Sequence, residues 1–255
     1  MESSTLLIIK TGGTMRPLAR KAGDFEDWII RNLGRDISVQ VTDAEHKSLP
    51  NSVEWKGVLI TGSHSMVTNG SPWIQHTAAW IAEAVQSGTA LLGICFGHQI
   101  LAAAMGGTVA ANPLGKEYGT VPVHLTGNGA TDPLFRGLPS PFPAHVGHSQ
   151  SVNRLPETAC RLAFSEKDPI QAFRIGCRAW GVQFHPEFDE RITAAYIERH
   201  KHELVREGQD IETIVRSVRP APHARSILSR FVRFCFKGPD TCLIEDCRHS
   251  WNESI

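Results

Sequence analysis

The sequence has no excess of charge of either sign, because its 26 lysine and arginine residues balance 26 aspartate and glutamate residues. Proteins that hold nucleic acid through its phosphates usually carry a basic excess or a basic stripe. We therefore expect no nucleic-acid partner. The 255 residues are 41% hydrophobic and 20% charged, a composition typical of a globular protein and unlike that of a disordered chain.

Long hydrophobic runs are also missing. Apolar stretches such as 6–9 and 57–60 have the length of buried strands, whereas a membrane-spanning helix needs about 18 consecutive apolar residues. The chain begins Met-Glu-Ser-Ser, with an acidic residue where a secretory signal carries basic ones. These features predict a cytoplasmic protein with no membrane partner.

Cysteine is scarce, and the six cysteines are scattered over the chain at positions 95, 160, 177, 235, 242 and 247. This distribution does not resemble a disulfide framework, so we expect free thiols in a reducing compartment. The group Cys235, Cys242, Cys247 and His249 offers possible zinc ligands, but its spacing fits none of the common zinc motifs. We therefore expect neither a metal nor a cofactor, and free cysteines near the C-terminus are the alternative to a zinc site.

Strand-like and helix-like segments alternate through most of the chain, which predicts βαβ units and a mostly parallel open sheet flanked by helices. A stretch rich in glycine and proline, at 108–153, predicts a small antiparallel extension. Strands are expected at 5–10, 37–41, 57–60, 90–94, 159–164, 170–173 and 179–184.

The C-terminal part of the chain is expected to be helical. One helix is predicted at 190–207, with Gly208 at its end, and a last amphipathic helix carries Ile227, Leu228 and Phe231 on its apolar face. We divide the chain into an α/β domain over 1–208 and a C-terminal helical extension over 209–255.

The most informative motif is Gly93-Ile94-Cys95-Phe96-Gly97, in which an apolar strand meets a helix through a Gly-x-Cys-x-Gly turn. Glycines on both sides let the backbone turn sharply, so that the residue between them projects from the edge of the sheet over a helix N-terminus. This is the thiol version of a nucleophile elbow. A buried structural cysteine in a tight turn is the alternative.

A base for such a nucleophile is available downstream, in Gln183-Phe184-His185-Pro186-Glu187. If this segment continues the preceding strand, His185 and Glu187 project to the same side. A carboxylate that accepts one ring N–H fixes the imidazole tautomer and leaves the other nitrogen facing the thiol. A surface turn is the alternative for this motif alone.

Together these motifs resemble the class I (triad) glutamine amidotransferase domain, in the subgroup similar to the glutaminase half of GMP synthase. The resemblance covers residues 5–190, and its three blocks lie at 59–63, 93–99 and 181–187. The family usually has a second glycine and a proline where this chain has Thr61 and Ser63. The resemblance implies a flavodoxin-like α/β fold.

The resemblance also implies roles for individual residues. Cys95 would attack the side-chain carboxamide of glutamine, with His185 as base and Glu187 orienting it. Backbone N–H groups of Gly62 and Phe96 would form the oxyanion hole.

Three further residues match positions at the amino-acid end of the substrate in this family. They are Gln99, His148 and Ser149. Each has a structural alternative: Gln99 could cap neighbouring carbonyls, and His148 could be a buried structural histidine.

Three functions remain compatible with the sequence. The chain is a free-standing hydrolase of glutamine or another γ-glutamyl compound, an ammonia-supplying subunit with a synthetase partner, or a binding or regulatory module with a lapsed site. No phosphate-binding loop follows Glu187. The intact set of Cys95, His185 and Glu187 favours an enzyme.

Overall fold

The computed structural model describes residues 5–34 and 36–237. Its strands are β1 (Thr5–Lys10), β2 (Ser38–Asp43), β3 (Gly57–Ile60), β4 (Leu91–Ile94), β5 (Thr108–Ala111), β6 (Glu117–Leu125), β7 (Phe142–His148), β8 (Gln150–Arg154), β9 (Ala159–Phe164), β10 (Ala172–Ile175) and β11 (Ala179–Val182). Its α-helices are α1 (Arg16–Ala22), α2 (Phe25–Leu33), α3 (Pro72–Gln86), α4 (Phe96–Ala104), α5 (Gly127–Thr131), α6 (Glu190–Arg206), α7 (Ile211–Ser217) and α8 (Pro222–Lys237).

Nine strands form one mixed sheet in the order β2-β1-β3-β4-β11-β10-β9-β6-β7. The strands from β2 to β11 pair in parallel, and those from β11 to β7 pair antiparallel. Strands β5 and β8 form a separate antiparallel pair. The expected fold class, a mostly parallel open sheet with flanking helices and a small antiparallel part, is confirmed.

Helices cover both faces of the sheet because the buried strands are apolar on both sides. In β1, Leu6 and Ile8 face a core shared with α2 and α8. Leu7 and Ile9 face a second core shared with α3 and α4. A third cluster, which includes Phe25, joins α2 to α6. The parallel strands end between these layers, where ligand sites of open α/β sheets form.

Two local predictions differ from the structure. Helix α1 was not expected, because it buries no residue and so leaves no apolar periodicity in the sequence. Strand β11 ends at Val182 and the chain bends and turns over 183–187. His185 and Glu187 therefore lie in a turn, and strand alternation does not explain their shared direction.

The cysteines differ in state. Cys95 and Cys235 are free and buried, whereas Cys160 and Cys177 are disulfide-bonded. The expectation of free thiols is therefore wrong for Cys160 and Cys177, because sequence spacing does not show which distant thiols meet in the fold. Within the described residues, no helix is long and apolar enough to cross a membrane.

The residues considered for zinc are only partly described. Cys235 is buried on α8, and Cys242, Cys247 and His249 lie outside the described residues. Across 5–34 and 36–237, no group of three or more His, Cys, Asp or Glu side chains is arranged to hold a metal ion.

Candidate active site

The junction between β4 and α4 places Cys95 in a constrained turn. Cys95 has φ 52° and ψ −100°, and it is the only non-glycine residue in the described ranges with a positive φ. A Cβ at Gly93 would lie 2.3 Å from the Gly97 carbonyl oxygen, and one at Gly97 would lie 2.5 Å from the Ile60 carbonyl oxygen. The two glycines therefore let strand and helix backbones touch, and this packing holds Cys95 in its strained conformation.

His185 lies between Cys95 and Glu187. Its Nδ1 is 2.7 Å from a Glu187 carboxylate oxygen, and its ring interacts electrostatically with the Cys95 side chain. His185 and Glu187 are each 2% exposed. Burial opposes a positive charge on the ring, but the Glu187 carboxylate and the Cys95 side chain outweigh it and raise the pKa of His185.

Aromatic rings enclose the imidazole. Phe188 stacks on His185 with ring centroids 3.9 Å apart, and Phe25 stacks at 6.2 Å. The rings limit rotation of the imidazole, so that its two nitrogens stay directed at the Cys95 and Glu187 side chains.

Gly62 follows β3 and lies against the same imidazole. A Cβ at Gly62 would be 3.0 Å from His185 Cε1 and 3.2 Å from Phe25 Cε1, so the chain approaches His185 closely here. The Thr11 hydroxyl donates to the Thr61 carbonyl oxygen at 2.9 Å, and the Thr61 hydroxyl donates to the Gly62 carbonyl oxygen at 2.9 Å. Both hydroxyls are fully buried and fix the orientation of this peptide.

Phe96 is the first residue of α4. The first N–H groups of a helix have no partner within the helix, and the Phe96 N–H is one of these. It lies directly after Cys95 and is available to an oxygen bound at the nucleophile.

The opposite end of the cleft is formed by the residues expected at the amino-acid end of a substrate. Gln99, His148 and Ser149 all line the cleft. The Gln99 amide nitrogen donates to the Gln150 carbonyl oxygen at 2.8 Å and to the Gln183 side chain at 3.0 Å.

A buried acidic network lies behind His148, and sequence motifs gave no sign of it. His148 Nε2 is 3.0 Å from a Glu117 carboxylate oxygen, and Nδ1 is 3.0 Å from the Gln150 carbonyl oxygen. Asp168 lies 3.8 Å from Nε2. Burial works against the charge, but Glu117 and Asp168 raise the pKa of His148 to about 9. A protonated His148 donates from both nitrogens.

The cleft has a volume of about 340 Å³. Its outer part is lined by residues that no motif pointed to, and these are His64, Lys116, Tyr118, Tyr196, His200 and Glu203. The sequence carries one signal for them: Tyr196, His200 and Glu203 recur at helical spacing and so share a face of α6. The cleft thus brings Cys95 together with predicted residues and with the outer residues that the motifs did not indicate.

Comparisons with known proteins give one family match and several relatives. The model of the family described as glutamine amidotransferase class-I matches residues 22–204. A glutamine-hydrolyzing GMP synthase of Aeropyrum pernix is 33% identical over 190 residues, which are 73% of this chain and 33% of that protein. The chain therefore spans about a third of the length of this relative.

Two further relatives resemble most of the chain. A gamma-glutamyl-L-1-hydroxyisopropylamide hydrolase of a Pseudomonas species is 30% identical over 69% of this chain and 60% of its own length. The crystal structure of a glutamine amidotransferase from Methylobacillus flagellatus superposes with a TM-score of 0.73 at 22% identity, over 91% of this chain and 94% of that one.

Proposed function

Because the chain belongs to the class-I glutamine amidotransferase family, we propose that it is a hydrolase that cleaves the γ-carboxamide of glutamine or another γ-glutamyl amide. The observation that carries the proposal is the buried group of Cys95, His185 and Glu187, in which His185 hydrogen-bonds Glu187 and interacts electrostatically with the Cys95 side chain. A thiol, an imidazole and a carboxylate in this order form the arrangement that nucleophilic acyl transfer requires.

The reaction has two halves. The Cys95 sulfur attacks the γ-carbonyl carbon, the C–N bond breaks, and a γ-glutamyl thioester forms while ammonia or an amine leaves. Water then attacks the thioester carbon, the C–S bond breaks, and glutamate is released with the thiol restored. No cofactor is needed for either half.

His185 moves the protons in both halves. It accepts the thiol proton as the sulfur attacks and donates it to the departing nitrogen, then takes a proton from water during hydrolysis. Its raised pKa favours the protonated ring, the form that donates to the departing nitrogen. Glu187 holds one ring nitrogen, stabilises the charged ring and keeps the other nitrogen directed at the sulfur.

The oxyanion would be bound by the N–H groups of Gly62 and Phe96. The hydrogen bonds from Thr11 and Thr61 hold the carbonyl groups of Thr61 and Gly62, which supports an oxyanion hole whose backbone is fixed before negative charge develops. Such preorganisation supports a hydrolase that acts without a second protein.

The amino-acid end of the substrate would lie against Gln99 and Ser149, which line the cleft. His148 also lines it, but both of its ring nitrogens are engaged by Glu117 and Gln150. We assign His148 to positioning: its bond to the Gln150 carbonyl oxygen holds the strand ends that carry Ser149.

A second function is an ammonia-supplying subunit. It is favoured by the length of the Aeropyrum pernix relative, of which this chain matches 33%. A synthetase partner would supply the acceptor for ammonia. A lapsed site has less support, because the sequence keeps Cys95, His185 and Glu187 and the last two are hydrogen-bonded.

The decisive assay follows glutamate together with ammonia or amine, released by the isolated protein from glutamine and a panel of γ-glutamyl amides. Turnover by the parent protein and its loss in Cys95→Ala, with an unchanged circular dichroism spectrum, is the expected result. Equal turnover by the two proteins would contradict the mechanism. Inactivity of a folded parent protein that becomes active with a co-purifying partner would favour the subunit.

A further inference from the structure

The cleft continues past Cys95 along one face of α6. Tyr196, His200 and Glu203 lie at positions i, i+4 and i+7 of this helix and line the cleft. Lys116 and Tyr118 line it from the start of β6, on either side of the inward-facing Glu117. Ammonia would need none of these contacts when it leaves, so this wall is available to a larger leaving group.

Four rings of this wall form two contacting pairs. The Tyr118 and His200 ring centroids are 5.0 Å apart, and those of His64 and Tyr196 are 5.6 Å apart. The Tyr196 hydroxyl lies 2.8 Å from the Thr14 hydroxyl and 3.1 Å from His64 Nε2. We call these four residues, Tyr118, Tyr196, His64 and His200, the ring wall.

The ring wall carries no charge near neutral pH. Burial lowers the pKa of His64 and of His200, which disfavours their protonated forms. Burial also raises the pKa of Tyr118 and Tyr196. The wall therefore offers flat, uncharged surfaces suited to apolar groups.

Lys116, a cation that lines the cleft, is already paired with two carboxylates. The Lys116 ammonium lies 2.8 Å from a Glu203 carboxylate oxygen and 2.9 Å from a Glu207 carboxylate oxygen. Arg199, whose charge reaches His64, Tyr118 and His200, is exposed and does not itself line the cleft. A substrate carboxylate in the outer cleft would have to displace an existing ion pair.

The ring wall adjoins the imidazole that would protonate the leaving group. Tyr196 packs on Phe188 with ring centroids 5.0 Å apart, and Phe188 stacks on His185 at 3.9 Å. His185 would give its proton to the departing nitrogen, so a substituent on that nitrogen would leave beside the ring wall.

We infer that the ring wall is a subsite for the amine portion of a γ-glutamyl amide, and that it selects apolar amines without a carboxylate over ammonia and over amino acids. This inference rests on the proposed hydrolase function and names its substrate class. Tyr118 and Tyr196 are its specificity-determining residues.

Binding to the Cys95→Ala protein tests the subsite separately from catalysis. Calorimetry would compare glutamine, γ-glutamyl-phenethylamide and γ-glutamyl-phenylalanine, the last of which adds only a carboxylate to the amide. We expect the phenethylamide to bind at least about tenfold more tightly than the other two, a ratio that corresponds to about 1.4 kcal/mol. Equal affinity for the phenethylamide and glutamine would overturn the inference.

A second substitution in the Cys95→Ala protein tests whether the ring wall is the subsite. Tyr118→Ala should reduce phenethylamide affinity to that of glutamine, whereas Tyr118→Phe, which keeps the ring, should preserve the preference. His124→Ala is a matched control, since His124 also lies on β6 but stacks on Phe164 outside the cleft. A loss of preference in the control equal to that in Tyr118→Ala would overturn the assignment.

Turnover by the protein with Cys95 present separates the two proposals. Hydrolysis of glutamine and the phenethylamide without any binding preference would reject the subsite and retain the hydrolase. A protein that ranks the ligands as expected but releases no glutamate from any of them would reject the hydrolase function instead.

Discussion

His185 is confined on several sides, and the chemistry depends on this confinement. Phe188 and Phe25 stack on the ring, Glu187 holds Nδ1, and the Gly62 backbone lies against Cε1. An imidazole held this way keeps both nitrogens aligned through proton transfers in opposite directions. We expect a change in any of these contacts to lower kcat while the overall fold is kept.

Substitution of Glu187 tests the orienting carboxylate. In Glu187→Gln the ring keeps a neutral neighbour but loses the charge that favours its protonated form, so we expect kcat to fall by roughly 10²-fold, less than the loss in Cys95→Ala. Initial rates with glutamine measure the effect. Glu198→Gln, on the exposed side of α6, should behave as the parent protein, and full activity of Glu187→Gln would exclude the assigned role.

Substitution of Gly62 tests the close approach to the imidazole. The Cβ of Gly62→Ala would press on His185 Cε1 and Phe25, so we expect kcat to fall by about tenfold or more through a shifted ring, with stability reduced by about 1–3 kcal/mol. Steady-state kinetics and urea unfolding measure the two effects. Gly127→Ala, where a Cβ meets nothing within 4 Å, is the control, and equal kinetics of the two variants would refute this account.

The residues proposed to react are recognisable in the sequence because their proposed chemistry requires particular neighbours. Cys95 is flanked by the glycines that its turn demands, and His185 has a carboxylate two residues away. The turn that brings His185 and Glu187 together was not predictable, because a proline between them fits a strand end and a turn equally well. Glu117 and His148 are 31 residues apart, and only the pairing of β6 with β7 brings them into contact.

Helix α8 contributes to the core that packs against β4 and β11, the strands that precede Cys95 and His185. Its buried residues Ile227, Leu228 and Phe231 face the sheet beside Trp180 of β11, and Phe234 packs edge-on against Trp180 at 4.8 Å. The apolar stripe of α8 was readable from its helical spacing. The face of the sheet that α8 covers could not be read from the sequence, since helical spacing does not identify a packing partner.

Truncation of two phenylalanines on α8 measures how much this helix stabilises the core. Phe231 is fully buried and Phe236 is 40% exposed, so the same truncation should have different effects on one helix. We expect Phe231→Ala to lower the free energy of unfolding by about 3–5 kcal/mol and Phe236→Ala by about 0.5 kcal/mol or less. Urea unfolding followed by tryptophan fluorescence gives both values, and similar losses would mean that α8 does not pack as described.

The boundary between α/β domain and C-terminal extension stays a prediction, and the same unfolding curves bear on it. Because α8 shares a core with α2 and the sheet, we expect it to unfold with them in a single transition. A separate early transition that is sensitive to Phe231→Ala would mean that the extension is an independent unit.

The buried pair of His148 and Glu117 should make the free energy of unfolding of the whole protein depend on pH. The pKa of His148 is raised from its ordinary value of 6.5 to about 9, so the folded protein holds this proton more tightly than the unfolded chain. The stabilisation is fully present below about pH 6.5 and is lost as the pH rises through about 9.

The prediction compares the parent protein with Glu117→Gln, in which His148 loses its charged partner. Between pH 6.5 and 9.5 the free energy of unfolding of the parent should fall by up to about 3 kcal/mol more than that of the variant. Urea titrations across this range measure the difference. His76→Gln, on the exposed side of α3, should follow the parent, and parallel curves for the parent and Glu117→Gln would disprove the charged pair.

The central claim is that Cys95 forms a γ-glutamyl thioester, and trapping that species tests it most directly. The protein would be mixed with a γ-glutamyl amide, quenched in acid within the first turnover and analysed by intact mass and peptide mapping. The account predicts one added glutamyl group, located on Cys95 and absent from Cys95→Ala. Turnover that leaves no adduct on Cys95 and persists in Cys95→Ala, or an adduct on another residue, would contradict it.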